Sequence, residues 1–322
     1  MATQYTVAFW NLENLFDIQD SPRRSDKLQR AIGKDLAGWS QPQLDRKLNQ
    51  LASIIRQMNG GKGPDVLGVC EVENKYVMDR LVDALASLGR SYGVSHHDTS
   101  DQRGIDVGFI YDSNLLSAEA TFSHVVMRRT ATRDIFQVNF RTRSGRLVVL
   151  VGNHWPSRTG GEKETAGYRA IAGETLAYFH QRILEVLGAK TPVLAMGDFN
   201  DEPFDLSLTD YALSTRSQTK VQNADTPRFL NLMWPVLGRG IGTHYFDNFP
   251  SVFDQFLANK NLLPEDAPIR ALQDTVQVVR FVEMVDKGDY PKPVPFGGMG
   301  KAVNQNGYSD HFSISMTVSE AD

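Results

Sequence analysis

Acids, amides and imidazoles recur at the ends of short apolar runs in this chain. Asn11 and Glu13 follow residues 5–10 (YTVAFW), and Glu71 follows 66–70 (VLGVC). Asn153 and His154 follow 147–152, Asp198 and Asn200 follow 192–196 (PVLAM), and Ser309-Asp310-His311 precedes 312–318 (FSISMTV). Each alone has an ordinary explanation, since Asp and Asn after a strand are standard turn residues. Turn chemistry does not select Glu and His, so the recurrence points to one shared site presented by strand ends. Hard cations such as Mg²⁺ prefer carboxylate and amide oxygens. The set offers Glu, Asp and Asn, with no Cys cluster and no H-x-x-x-H pair for zinc. The histidines add acid–base and phosphate-contact capacity. These residue types together suit metal-assisted hydrolysis at phosphorus.

Rigid elements must bring them together. Residues 5–10, 66–70 and 105–111 read as buried strands. Residues 43–58 place Leu44, Leu48, Leu51, Ile54 and Ile55 at helical spacing, stopped by Gly60-Gly61. Residues 75–88 and 165–187 predict two more helices. Residues 135–141 and 147–152 flank Ser144-Gly145 and predict an antiparallel hairpin. Residues 193–196 and 312–318 complete the strands. Residues 259–306 are richer in Pro and Gly, and 291–300 (PKPVPFGGMG) read as an ordered or mobile loop. Interleaved strands and helices with one hairpin exclude a purely parallel barrel and favour mixed sheets covered by helices. No repeat or linker divides the chain, so 1–322 reads as a single domain.

Hydrophobic residues make up 41% and charged residues 22%, an ordinary globular balance. The net charge of −4 gives no global basic field of the kind that draws proteins onto nucleic acid. It does not exclude an enzyme whose metal ions supply local positive charge. The one cysteine, Cys70, excludes an intramolecular disulfide and fits a cytoplasmic, periplasmic or secreted bacterial protein alike. No apolar run approaches the roughly 18 residues of a membrane span. The N-terminus carries no signal-peptide pattern, and a leader removed beforehand would leave the same start. No stable protein partner is indicated, and a monomer is expected.

The chain resembles the endonuclease/exonuclease/phosphatase superfamily, which includes DNase I, exonuclease III-type enzymes, sphingomyelinases and inositol-polyphosphate 5-phosphatases. The matching segments are FWNLEN (9–14), GVCEVEN (68–74), RGIDVGFIY (103–111), GNHWPSR (152–158), MGDFND (196–201), SVFDQFLAN (251–259) and YSDHFSI (308–314). They run from end to end in the family's order. The resemblance implies a DNase I-like four-layer α/β sandwich, with two mixed sheets face to face and helices outside. It implies Glu71 as the principal metal ligand, with Asn11, Asp310 and Glu13 as further ligands for one or two ions of Mg²⁺, or Mn²⁺ or Ca²⁺ in its place. Asp198 would orient or deprotonate the attacking water, and Asn200 would bind a phosphoryl oxygen. His311, oriented by Asp254, would contact the phosphate. His154 would sit across it, protonating the leaving oxygen or stabilising its charge.

Other residues stay open at this stage. Asp98, Asp101 and Asp106 are candidate partners for His154, and Asp106 is an unusual acid in a strand that pairing with Arg103 would explain. Arg103 and Arg158 are candidates to hold phosphate oxygens. Arg128, Arg129, Arg133, Arg141, Arg143 and Arg146 form a basic concentration, either a solvated hairpin face or a phosphate-backbone surface. Trp155, Trp234 and Phe296 are either core or stacking residues. The leading function is a phosphodiesterase of the nuclease type, a hydrolase acting on ester bonds of DNA or RNA. The alternative is a phosphatase or phosphodiesterase on small molecules or lipid headgroups, which the slightly acidic balance favours. Neither a long basic insertion of the inositol-phosphatase type nor an apolar docking hairpin of the sphingomyelinase type is evident. A non-enzymatic binding module would need decayed ligands, and every principal position keeps a competent residue.

Overall fold

The computed structural model describes residues 2–322. The chain lays down β1 (Thr3–Leu15), β2 (Val66–Val72), β3 (Tyr92–His96), β4 (Asp106–Asp112) and β5 (Leu116–His124). The expected hairpin follows as β6 (Ile135–Thr142) and β7 (Leu147–His154), then β8 (Val193–Asp198), β9 (Ser214–Thr215) and β10 (Phe229–Asn231). Next come β11 (His244–Phe246), β12 (Phe249–Ser251), β13 (Asp254–Asn259), β14 (Ile269–Val279) and β15 (Ser313–Glu320). Helices α1 (Asp26–Ile32), α2 (Gln41–Gly61), α3 (Lys75–Ala84), α4 (Glu162–Leu187) and α5 (Gln218–Gln222) are interleaved with them.

One six-stranded sheet has the order β14-β15-β1-β2-β4-β3, and a seven-stranded sheet the order β5-β6-β7-β8-β13-β10-β9. Both are mixed: β1 runs parallel to β2 and antiparallel to β15, while β8 runs parallel to β7 and antiparallel to β13. Side chains alternate across a strand. In β1, Phe9 enters the core between the sheets, with Phe109, Met196, Phe256 and Ile314. Its neighbours Ala8 and Trp10 face outward, under Leu44, Leu48 and Leu51 of α2. The other sheet turns Val149 and Val151 outward against Leu176 and Ile183 of α4. The result is the expected four-layer sandwich.

Two open readings are resolved here. The stretch 259–306 contains the eleven-residue β14, hidden because many of its side chains are polar or partly exposed. The loop at 291–300 is anchored: Phe296 is fully buried and meets Trp39 edge-on at 5.9 Å.

On α4, His180 stacks on Phe229 at 4.0 Å, and neither ring nitrogen has a hydrogen-bond partner. Burial, with Lys260 adding to it, lowers its pKa to about 3. The folded state therefore refuses a proton that the unfolded chain accepts near pH 6.5. Stability from this residue is complete above that pH and is lost as pH falls, by up to about 1.4 kcal/mol per unit. The His180→Leu protein is expected to show a flatter stability profile between pH 6.5 and 4 in urea titrations. An unchanged slope would refute this reading.

Candidate active site

The strand ends named above meet at one edge of the sandwich. Two irregular backbone segments aim the acids of β1 and β2. Asn11 pairs with Cys70, but the next registered pair is Leu15 with Val72, so a bulge lies between. On the other side, Cys70 pairs with Val107 and Val72 with Asp106, which leaves Glu71 as the extra residue. Glu13, Asn14 and Glu71 all have positive φ, 49°, 62° and 59°. A left-handed non-glycine residue costs roughly 1–2 kcal/mol, and bulges of this kind commonly re-aim a side chain. The Asn14 backbone N–H donates to Glu71 Oε2 at 3.0 Å and holds the carboxylate in place.

Asp198 sits at the centre. Its Oδ2 accepts from Asn11 Nδ2 at 3.1 Å and lies 3.7 Å from His154 Nε2 and 3.8 Å from His311 Nε2. Its Oδ1 accepts from the Asn200 backbone N–H at 2.9 Å. His154 Nε2 is also 3.7 Å from Glu71 Oε1. His311 Nδ1 bonds Asp254 Oδ2 at 2.7 Å. Trp10 Nε1 donates to the His311 carbonyl at 2.8 Å, and Ser309 Oγ donates to the Asn11 carbonyl at 2.6 Å. Those two bonds lock the 309–311 segment onto β1.

The two imidazoles are driven in opposite directions. Burial pulls the His311 pKa down, but Asp254, Asp198 and Asp310 outweigh it and hold it well above the ordinary value. Burial drives His154 well below, and the cations Arg133, Arg103 and His311 add to the effect. At neutral pH one ring is charged and the other neutral. Burial also pushes Asp198 up to about 7, with Asp254 adding while His311 and its hydrogen bonds oppose.

A divalent cation fits the acidic side of this cluster. Burial and the Glu71 charge push the Asp310 carboxyl above its usual range, against the pull of His311, Lys301 and Lys47. Buried carboxylates of one sign are costly unless a cation stands among them. Glu71, Asp310 and the Asn11 amide would supply hard oxygen donors, the Asn11 Oδ1 also accepting from the Glu13 backbone N–H at 2.9 Å. Cys70 is buried with its thiol pKa raised well above the usual value, so it stays protonated and supplies no thiolate.

Several expected roles need correction. Glu13 is committed elsewhere: its oxygens accept from the Phe296 and Gly297 backbone N–H groups at 2.6 and 3.1 Å, with Lys47 Nζ 3.9 Å away. It fastens the 291–300 loop. Glu13→Gln is accordingly expected to lower stability by about 1–2 kcal/mol while leaving divalent-cation affinity near wild type in calorimetric titration. A large loss of that affinity would restore the ligand role. Arg158 donates to the Asn200 carbonyl, Asp201 and Asp205, and is not free for phosphate. It braces the loop that carries Asn200. Asn200 keeps one side-chain N–H engaged with the Trp155 carbonyl at 3.0 Å. Arg103 stands at the rim, 3.9 Å from Glu71 and 45% exposed, available to a substrate.

None of Asp98, Asp101 and Asp106 bonds His154, whose Nδ1 is buried without a partner. Asp106 instead accepts from Thr99 and lies 3.3 Å from His96, and Asp101 lies 3.7 Å from Arg133. The basic concentration divides. Arg141, Arg143 and Arg146 lie at the β6–β7 turn, the opposite end of β7 from His154, whereas Arg133 is buried at the site end and donates to the Trp155 carbonyl. Trp155 and Phe296 are fully buried core residues, and Trp234 is half-buried.

Sequence reading missed the β11–β12 hairpin. Its base adjoins the site, because the His244 and His311 rings lie 4.8 Å apart. Its tip exposes Phe246 and Phe249, which pair across the strands. The signal was present: Asp247-Asn248, both with positive φ, form the two-residue turn such hairpins favour.

Among known proteins, the model described as Endonuclease/Exonuclease/phosphatase family matches residues 6–320. No curated protein matches the sequence. Among solved structures, the human Nocturnin catalytic domain with bound sulfate anion is 16% identical, with TM-score 0.56 over 99% of this chain and 95% of that one. Truncated Caenorhabditis elegans TDP2 is 14% identical, with TM-score 0.58 over 99% and 98%. A Bacteroides thetaiotaomicron mannosyl-6-phosphatase is 15% identical, with TM-score 0.57 over 98% and 99%. At these identities the likeness is one of fold.

Proposed function

Because the chain belongs to the endonuclease/exonuclease/phosphatase family, whose chemistry is metal-dependent phosphoester hydrolysis, we propose that it is a Mg²⁺-dependent phosphodiesterase of the nuclease type. The observation that carries this reading is one carboxylate, Asp198, set between a charged and a neutral imidazole beside an acidic cation site. The cation, when bound by Glu71 and Asp310, supplies positive charge against the phosphoryl oxygens. Asp198 orients the attacking water and accepts its proton, a task suited to a pKa near 7. His311, charged and fixed by Asp254, donates to a phosphoryl oxygen. His154 turns Nε2 toward two carboxylates, so its proton resides there. Neutral, it hydrogen-bonds the reacting oxygens, and the leaving oxygen takes its proton from solvent water as its bond to phosphorus breaks.

A chain-like substrate is favoured by the exposed aromatic pair at the tip of the hairpin whose base adjoins His311, since base–aromatic stacking is worth about 1–3 kcal/mol per base. A small phosphorylated ligand is the second reading. It would use a cavity of about 610 Å³ in which Arg23, Arg24, Lys27 and Lys75 are matched by Glu73, Asp98, Asp101 and Asp106. The test is a panel of plasmid DNA, single-stranded RNA, bis(p-nitrophenyl) phosphate and p-nitrophenyl phosphate, each with Mg²⁺ and with EDTA. Mg²⁺-dependent cleavage of a nucleic acid and of the diester dye is expected. Turnover of the monoester alone would move the assignment to the second reading, and no turnover of any substrate would end both.

A further inference from the structure

At the β9 edge of the seven-stranded sheet lies a groove of about 740 Å³ that the catalytic reading does not use. Arg216, Lys220 and Arg228 line it, and no Asp or Glu does so among the described residues. None of these cations forms an ion pair with a described residue, although the protein as a whole is acidic. Like charges gathered without counter-charges repel one another, and a bound polyanion relieves that repulsion. Trp234 forms one wall, with the Arg216 guanidinium 5.4 Å from its ring centroid. Two groove residues also carry buried polar atoms without partners, Trp234 Nε1 and Ser214 Oγ. Unsatisfied buried donors of this kind are uncommon.

A ring contact ties the groove to the loop that carries Asn200. The Trp234 ring lies 6.5 Å from that of Phe204, which is 55% exposed. Phe204 belongs to the loop that Arg158 braces, four residues after Asn200. On the protein side, Gln255 joins the two regions. Its Oε1 accepts from Asn231 at 2.6 Å, and its Nε2 donates to the Asp201 carbonyl at 2.7 Å. Cations that track a backbone, interleaved with aromatic faces, are the pattern of single-stranded nucleic-acid channels.

We infer that this groove binds the backbone of a single-stranded nucleic-acid substrate as it leaves the catalytic centre, with Phe204 and Trp234 stacking bases. The inference rests on the nuclease reading above. It names the strandedness of the substrate and the path that the strand takes.

The test uses fluorescence anisotropy of a labelled single-stranded oligonucleotide, with Mg²⁺, in an Asp198→Asn background that binds without cutting. The triple variant R216Q/K220Q/R228Q is expected to bind at least ~10-fold more weakly. Each phosphate contact contributes roughly 0.7 to the slope of log affinity against log salt, so that slope should shrink by about 2. Trp234→Ala should weaken binding about 5-fold and leave the slope unchanged. In the otherwise native background, both variants should hydrolyse bis(p-nitrophenyl) phosphate at the native rate, because that substrate cannot reach the groove. Unchanged affinity and slope in the triple variant would overturn the inference. So would an equal loss on duplex DNA, no binding by the parent protein, or a parallel fall in diester turnover. Failure of the parent enzyme to cut any diester would instead overturn the nuclease reading, so the two failures can be told apart.

Discussion

Asp198→Asn is expected to lower kcat at least ~100-fold, the scale of losing a principal acid–base group, and to leave the protein more stable at pH 8. The substitution is nearly isosteric, and the oxygen that accepts from the Asn200 N–H can be kept. What disappears is the ability to take a proton from water. The stability gain follows from the same burial. A carboxyl with a folded-state pKa of about 7 and an ordinary unfolded value near 3.8 must be ionised at a cost once pH exceeds 7. Because the folded pKa is raised, stability falls as pH climbs from about 4 to 7, and an amide has no such dependence. Melting curves in EDTA at pH 8, beside single-turnover assays, check both halves. A variant that is inactive and also less stable would mean that Asp198 is mainly a structural anchor for Asn11 and His311.

Glu71→Gln should also reduce kcat at least ~100-fold, with a different signature. Glu71 is the extra residue of a bulge, held by the Asn14 N–H, with its second oxygen 3.7 Å from His154 Nε2. Glutamine keeps the size and one acceptor oxygen but removes the charge that balances a cation. The Mg²⁺ concentration for half-maximal rate should therefore rise at least ~10-fold, which Asp198→Asn should not reproduce. Titrating activity from micromolar to tens of millimolar Mg²⁺ separates the two variants. Near-native turnover at ordinary Mg²⁺ would remove Glu71 from the cation site.

The recurrence of Asn11, Glu71, His154, Asp198, Asp310 and His311 at the ends of short apolar runs was legible because strand ends are easily read, whereas Asp254 came only from the family resemblance. Their partners were less legible. Glu13 and Arg158 have the right chemistry for ligand and phosphate contact, yet their bonds go to backbone and side chains that only the folded chain brings near. No local pattern announces that Phe296 will arrive beside Glu13. The basic residues of 128–146 looked like one cluster because sequence distance hides strand length. An eight-residue strand separates Arg146 from His154 by roughly 25 Å. The polar β14 escaped because its alternation is weak.

One topological feature bears on how the protein is made. β15 lies between β1 and β14, and Asp310 and His311 immediately precede it. Trp10 near the amino end waits on the His311 carbonyl, and the Asn11 carbonyl on the Ser309 hydroxyl, for these hydrogen bonds. During vectorial synthesis the first strand has no neighbour on that side until the final strand clears the ribosome. A nascent chain therefore cannot complete the candidate site until β15 has been made and can pair with β1.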